Sequence, residues 1–285
     1  MTPRLAVVAL LLAALLGCGR TAAPRGRDDG RLLSLAPAIT ATLRQLGAQD
    51  RLVGRSDWCT GDELAALPTL GSALTPDLER IAGLQPATVL VDGSAATRLD
   101  DLRAVAPVEE LPWLTTDEVA GSLRRLGALT GTSATADPLA ARLEATLGRA
   151  PPAHAPRVLV ALGSDGLEGG EVWFVKRNSL HGAVLHAAGV RNAVDRDVPG
   201  VPMLSLEALI DADPDAVVVL SATPVDDAGR ARLVEAWARL TPLRAVQQGR
   251  LGVIDGEVAM ATDPRILDLV DLLHAELRRL GLELP

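Results

Sequence analysis

The 285-residue chain has no tyrosine, one phenylalanine and four tryptophans, and Lys176 is its single lysine. The missing tyrosine removes the phenolate from the possible metal ligands. The missing lysine leaves arginine to carry the positive charge, a bias of composition rather than of function. Basic residues number 28 against 36 acidic, a net charge of −8, and no basic block interrupts the chain, which excludes a nucleic-acid surface. There are two cysteines, Cys18 and Cys59, too few for a disulfide framework. A chain of this length buries roughly 75% of its unfolded surface and needs no such staple. The four histidines are His154, His181, His186 and His274. His181 and His186 lie five apart, a spacing that splays them on a helix, so no metal site is expected. There is no G-x-S-x-G elbow, Walker A loop or G-x-G-x-x-G. A hydrolase is the remote alternative. It would need Ser94 or Ser164 within reach of a histidine and a carboxylate, and no spacing provides that. No catalytic residue is expected.

No apolar run is long enough to cross a bilayer. The longest, Leu5–Leu16, has twelve residues, short of a hydrocarbon core roughly 30 Å thick. Arg4 precedes it and small Gly17 ends it, the pattern of a secretory signal over residues 1–17. Leu15-Leu16-Gly17-Cys18 resembles a bacterial lipobox, which implies cleavage before Cys18 and lipidation of that residue. Residues 18–30 are polar and rich in glycine and proline, a flexible tether. The mature chain then holds 27 basic and 36 acidic residues, a net charge of −9. Cys59 is left without a partner in the chain, as a buried thiol or one that faces a ligand.

What is present is a run of alternating strand and helix patterns. Strands are expected at Arg31–Leu35, Leu52–Gly54, Ala87–Val91, Val108–Leu111, Arg157–Leu162, Ala216–Leu220 and Leu251–Ile254. Helices are expected at Ile39–Leu46, Pro76–Leu84, Ala96–Val105, Asp117–Leu129, Ser179–Ala188, Leu206–Ala212, Ala228–Leu240 and Pro264–Leu280. This order predicts parallel sheets covered by helices. Asp137-Pro138 reads as an N-cap and first helical residue. The helix over 135–150 then bridges an N-terminal α/β lobe, 31–134, and a C-terminal one, 151–285. The fold class is α/β, two Rossmann-like lobes with parallel sheets joined by a single long backbone helix.

An internal repeat supports two lobes. Asp77–Val91 (DLERIAGLQPATVLV) aligns without a gap on Ser205–Val219 (SLEALIDADPDAVVV), with leucine, glutamate and proline at the same offsets. Asp77 and Ser205 are N-cap residues. Glu79 and Glu207 follow in the first turn, pointing to solvent. Each stabilises its helix dipole by about 0.3–1 kcal/mol. As a pair on equivalent places of two lobes they also form a docking feature for a partner with two basic sites.

Trp237 shares a helix face with Leu233 and Leu240 and reads as core. Trp58, Trp113 and Trp173 fall in or beside loops after strands, where open α/β sheets bind ligands. There they stack on a large flat ligand or anchor their loops. Lys176 and Arg177 follow Trp173 and meet an anionic group or solvent. Asp92, Gly93 and Ser94 end one strand beside the same cleft.

Several segments together resemble a known family. They are Leu35-Ala36-Pro37-Ala38-Ile39-Thr40, Leu46-Gly47, Val53-Gly54-Arg55-Ser56-Asp57-Trp58-Cys59, Leu78-Glu79-Arg80-Ile81, Asn178-Ser179-Leu180, Ser205-Leu206-Glu207 and Asp263-Pro264-Arg265-Ile266. In this order, over residues 31–280, they are similar to the class III periplasmic substrate-binding proteins of ABC importers, nearest to the cobalamin-binding members. The resemblance implies a lipid-anchored, extracytoplasmic monomer that is not an enzyme and has no resident cofactor. It would deliver a corrinoid, cobalamin or cobinamide, to the importer's permease. A ferric siderophore or haem is the alternative cargo. The ligand contacts expected are Pro37, Trp58, Asp92, Ser94, Trp173, Lys176, Arg177 and Met203, of which Trp58 and Trp173 match aromatic contact positions of the family. Glu79 and Glu207 take the permease-docking positions. The segment after Trp58 lacks the family's aromatic-proline pair, and Asp92 and Val201 stand where relatives carry further cleft tryptophans.

Overall fold

The computed structural model describes residues 30–93, 98–163, 167, 170–198 and 201–284. The signal-like segment, Cys18, the tether, Ser94 and Ser164 lie outside them.

Four parallel strands form the first sheet, β1 (Leu32–Ser34), β2 (Leu52–Arg55), β3 (Thr88–Val91) and β4 (Val108–Glu110), in the order β2-β1-β3-β4. Helices α1 (Pro37–Gln45), α2 (Leu78–Leu84) and α3 (Leu99–Val105) connect them. The second sheet holds β5 (Arg157–Leu162), β7 (Arg191–Asn192), β9 (Ala216–Ser221) and β10 (Leu251–Asp255), also parallel, in the order β10-β9-β5-β7. Helices α6 (Leu180–Ala187), α7 (Leu206–Ala212), α8 (Asp227–Ala238) and α10 (Ile266–Arg279) surround it, with short α9 (Arg244–Gln247). The central strands read TVLV, RVLVAL and AVVVLS, near-continuous apolar runs, because helices cover both faces of each sheet.

The two sheets have one topology. In each, the first strand pairs with the second on one side and the third on the other, and the fourth is added beyond the third. The repeat seen in the sequence is α2–β3 in one lobe and α7–β9 in the other. Its caps match: the Asp77 carboxylate accepts the Arg80 N–H at 3.1 Å, and Ser205 Oγ accepts that of Ala208 at 3.2 Å. The two helices also end alike. Gln85 (φ 48°) and Asp213 (φ 36°) hold the same repeat position and are the only left-handed non-glycine residues among those described.

The lobes are joined by α5 (Ser133–Leu147), roughly 22 Å long at 1.5 Å per residue. Ala136 packs in the first lobe's core, and Ala140, Leu143 and Leu147 pack in the second's. Helix α4 (Thr116–Thr130) lies antiparallel beside it and spans the same boundary, with Leu126 in the first core and Val119, Ala120 and Leu123 in the second. Gly127 makes this crossing possible: a Cβ there would sit 2.5 Å from Ala136 Cβ.

Helix α5 starts earlier than Asp137-Pro138 suggests. Its N-cap is Thr132, and Pro138 lies inside the helix. A proline there leaves the Ala134 carbonyl without its ladder donor. Ala134 and Pro138 are both exposed, so water can satisfy that carbonyl.

The sequence reading missed β6 (Glu171–Trp173) and β8 (Met203–Ser205), an antiparallel ribbon, and two-residue β7. β7 is too short to carry a period, and β6 and β8 exist through a pairing of segments about thirty residues apart. Trp237 is core, 3% exposed. No described helix is long and apolar enough to cross a membrane.

Candidate functional site

The order of each sheet reverses beside its first strand, β1 next to β3 and β5 next to β9. In open α/β sheets such a switch point opens a crevice at the strands' carboxyl ends. Nine large apolar side chains are exposed among the described residues. Seven lie on segments leading from a strand's carboxyl end to the next helix: Trp58 and Leu74 after β2, Leu114 after β4, Trp173 after β5, Val201 and Met203 after β7, and Met260 after β10. Exposed apolar groups on these connections are the candidates for a ligand surface.

Trp58 is the most exposed of them, at 71%. Its turn is rigid. Arg55 reaches under it, donating to the carbonyls of Cys59 at 2.6 Å and Leu64 at 3.0 Å. The Asp57 N–H donates to the Gly71 carbonyl and the Trp58 N–H to Ser56 Oγ. Cys59 is buried, its Sγ 3.1 Å from Thr40 Oγ1 and 3.2 Å from Ser56 Oγ, so it is a packed thiol and faces no ligand. The indole therefore stands on a fixed platform. Pro37, the first residue of α1, is exposed, and Asp92 is half-buried just beyond β3.

In the second lobe the β6–β8 ribbon pairs Trp173 with Met203, while Val172 and Leu204 between them pack into the core. Directly opposed residues share a face, so Trp173 and Met203 form one outward apolar surface. Lys176 is half-buried beyond it. Arg177 is ion-paired to Asp197 at 3.1 Å and Asp195 at 3.3 Å, which hold its guanidinium firmly charged and match that charge within the lobe.

Trp113 does not join this surface. It packs against the cores of both lobes, and its indole N–H donates to the Thr262 carbonyl. Glu79 and Glu207 are exposed in the first turns of α2 and α7, and neither has an ion-pair partner among the described residues. Leu74, Leu114 and Met260 escaped the sequence reading. Their signal was available, an apolar residue between a strand's end and the next helix, but aliphatic residues there are read as core.

Among the described residues no three His, Cys, Asp or Glu side chains are placed to hold a metal ion. His181 is half-buried, its Nε2 out of water and unpartnered, and this desolvation lowers its pKa.

A family model described as periplasmic binding protein matches residues 32–258. A cobalamin-binding protein of Halobacterium salinarum is 28% identical over 263 residues, 87% of this chain and 69% of its own length. A periplasmic haem-binding protein from Pseudomonas aeruginosa has a TM-score of 0.70 and 26% identity, over 90% of this chain and 95% of its own. The periplasmic vitamin B12-binding protein of Vibrio cholerae has a TM-score of 0.69 over 88% of this chain and 98% of its own. Its identity is 20%, so that likeness is one of fold.

Proposed function

This chain belongs to the periplasmic binding protein family, the extracytoplasmic substrate-binding components of ABC importers, and from that premise we propose that its cargo is a corrinoid. The observation that carries the reading is the likeness to a cobalamin-binding protein along 87% of the chain. The apolar edge supports it. A large, rigid, flat ligand buries Trp58 on one lobe and the Trp173–Met203 surface on the other, with Pro37, Asp92 and Lys176 at its margins; Ser94, outside the described residues, stays a proposed contact from its sequence position alone. Arg177 joins only by leaving Asp195 and Asp197. No bond is made or broken: the cleft captures the ligand, and Glu79 and Glu207 present the loaded protein to basic sites on the permease. Charge complementarity of this kind sets orientation and on-rate more than affinity. We also propose residues 1–17 as a signal peptide and Cys18 as the lipid anchor.

Haem is the competing cargo, because the Pseudomonas aeruginosa haem-binding protein is similar in fold and 26% identical. Against it, the chain has no tyrosine, the Nε2 of half-buried His181 is out of water, and Cys59 is buried. Met203 is then the exposed soft ligand beside Trp173.

The test is a titration of the protein with cyanocobalamin, cobinamide, haemin and a ferric hydroxamate, read by tryptophan fluorescence. Saturable quenching by the corrinoids alone is expected. Trp58→Ala should weaken corrinoid binding by about 1–3 kcal/mol, the range for stacking a flat ring on an aromatic side chain. Binding of haemin or the iron chelate alone overturns the cargo and keeps the fold. An unchanged dissociation constant in Trp58→Ala removes Trp58 from the site.

A further inference from the structure

Two side chains of the first lobe reach across the boundary and bond adjacent residues of the second. Trp113, on the connection from β4 to α4, donates its indole N–H to the Thr262 carbonyl. Gln45, the last residue of α1, donates from Nε2 to Asp263 Oδ1 at 3.3 Å. Residues 262 and 263 lie on the connection from β10 to α10. By the shared topology this is the counterpart of the connection that carries Trp113, so the contact joins equivalent segments of the two lobes.

The acceptor side is held firmly. Asp263 is 2% exposed. Its carboxylate accepts the Arg265 backbone N–H at 2.9 Å and the Arg265 guanidinium through Nε at 2.9 Å and Nη2 at 2.7 Å. Glu257 takes the other end of that guanidinium at 3.1 Å. A buried carboxylate with this many charge-assisted bonds does not move independently of its lobe. The donor side is anchored by packing, since Trp113 touches both cores. The neighbours of the contact include exposed apolar residues on each side, Leu114 and Met260.

We propose that Trp113, Gln45 and Asp263 form an interlobe seam that fixes the opening of the ligand cleft, making them positioning residues for cargo binding. With the α4–α5 hairpin already spanning the boundary, a further tie at the seam removes the rotation that the hairpin by itself would leave to the lobes. Cargo then enters a preformed gap, and little ordering cost is charged against affinity. The inference extends the binding role proposed above, but it concerns the empty protein and stands without the identity of the cargo.

The experiment measures the distance between the lobes without ligand. Spin labels are placed by Ala82→Cys on α2 and Ala231→Cys on α8, both exposed, in a Cys18→Ser background; Cys59 is buried and does not react. Pulsed electron resonance should give one narrow distance distribution. Trp113→Ala with Gln45→Ala should broaden it and add a second population, while circular dichroism stays unchanged. Trp113→Phe, which keeps a ring and loses the N–H, should fall between. If Trp113→Ala unfolds the protein, Gln45→Ala alone, an exposed change, carries the same comparison with a smaller effect. Distributions of equal width in parent and folded variants overturn the seam. Cyanocobalamin association and dissociation rates are then measured. The seam predicts a slower on-rate in the broadened variants and an intermediate one in Trp113→Phe, following the width of the distance distribution, a correlation that a loss of general stability does not produce. Broadening in a protein that binds no corrinoid keeps the seam and removes the cargo assignment.

Discussion

At the scale of single residues, symmetry and strain coincide. Gln85 and Asp213 end equivalent helices in the left-handed region, where a side chain costs about 1 kcal/mol or more and glycine is at home. Gln85→Gly should raise stability by about 0.5–1 kcal/mol, read as the urea midpoint. Asp213→Gly should gain less or lose, because the Asp213 carboxylate accepts the Arg244 N–H at 2.9 Å and its guanidinium at 2.7 Å. Equal gains at both sites would show that those bonds contribute nothing. His181 sets a pH dependence. Burial lowers its folded pKa, opposed by a bond to the Ala259 backbone, so the folded protein keeps the ring neutral while the unfolded chain protonates below about pH 6.5. Stability is therefore full above that pH and falls as pH drops toward the folded value. His186, lowered by burial as well, acts in the same direction. The urea midpoint should fall between about pH 8 and about pH 5.5, and fall less in His181→Gln. The same fall in the variant would assign the dependence to other groups. Neither residue could be picked out beforehand: a left-handed cap without glycine and a histidine under an apolar face look ordinary in one dimension.

At the scale of elements, the α4–α5 hairpin decides how the lobes meet. Gly127 faces Ala136 with no room for a side chain, whereas Gly121 on the same helix faces open solvent. Gly127→Val should cost about 1–3 kcal/mol by overpacking, and Gly121→Ala should gain up to about 1 kcal/mol in helix propensity. Thermal unfolding of the two variants separates them, and a Gly127→Val protein as stable as its parent would mean that the helices part freely. The seven expected strands were legible because, β4 (VEE) apart, each is a mainly apolar stretch between turn residues. The β6–β8 ribbon was not, since its antiparallel pairing joins segments about thirty residues apart. The start of α5 was misplaced for a related reason: Asp-Pro is a strong local start signal, yet Thr132 and the packing of Ala136 begin the helix earlier. The edge strand β10 is closed by side chains. The Val253 N–H donates to Glu276 at 3.1 Å and its carbonyl accepts from Arg230, so this edge offers little to a second sheet.

At the scale of the whole molecule, each lobe presents one exposed carboxylate in the first turn of equivalent helices. If these are the permease contacts, Glu79→Ala with Glu207→Ala should abolish corrinoid uptake by cells while the purified protein binds cyanocobalamin as before. Uptake at the parental rate in the double variant would end the docking role. Weakened binding by the purified variant would place the carboxylates in the cleft instead.

The class of fold, the two lobes and their repeat were determined by the sequence alone. They depend on local periodicity, on caps at Asp77 and Ser205, and on a repeat that survives as identical residues at fixed offsets. The exposure of Trp58 and Trp173 on segments that follow strands also followed, although Trp173 ends strand β6 where a loop was expected. Only the tertiary structure decided the rest. It made Trp113 an interlobe contact, matched Arg177 to Asp195 and Asp197, buried Cys59, and added Leu74, Leu114 and Met260 to the apolar edge. Each of these depends on which distant segment packs against the residue, and the contact from Trp113 to Thr262 spans 149 positions. Local pattern carries no record of such a neighbour, since burial and pairing arise only when segments apart in sequence pack against one another, within a lobe or across the boundary between the two.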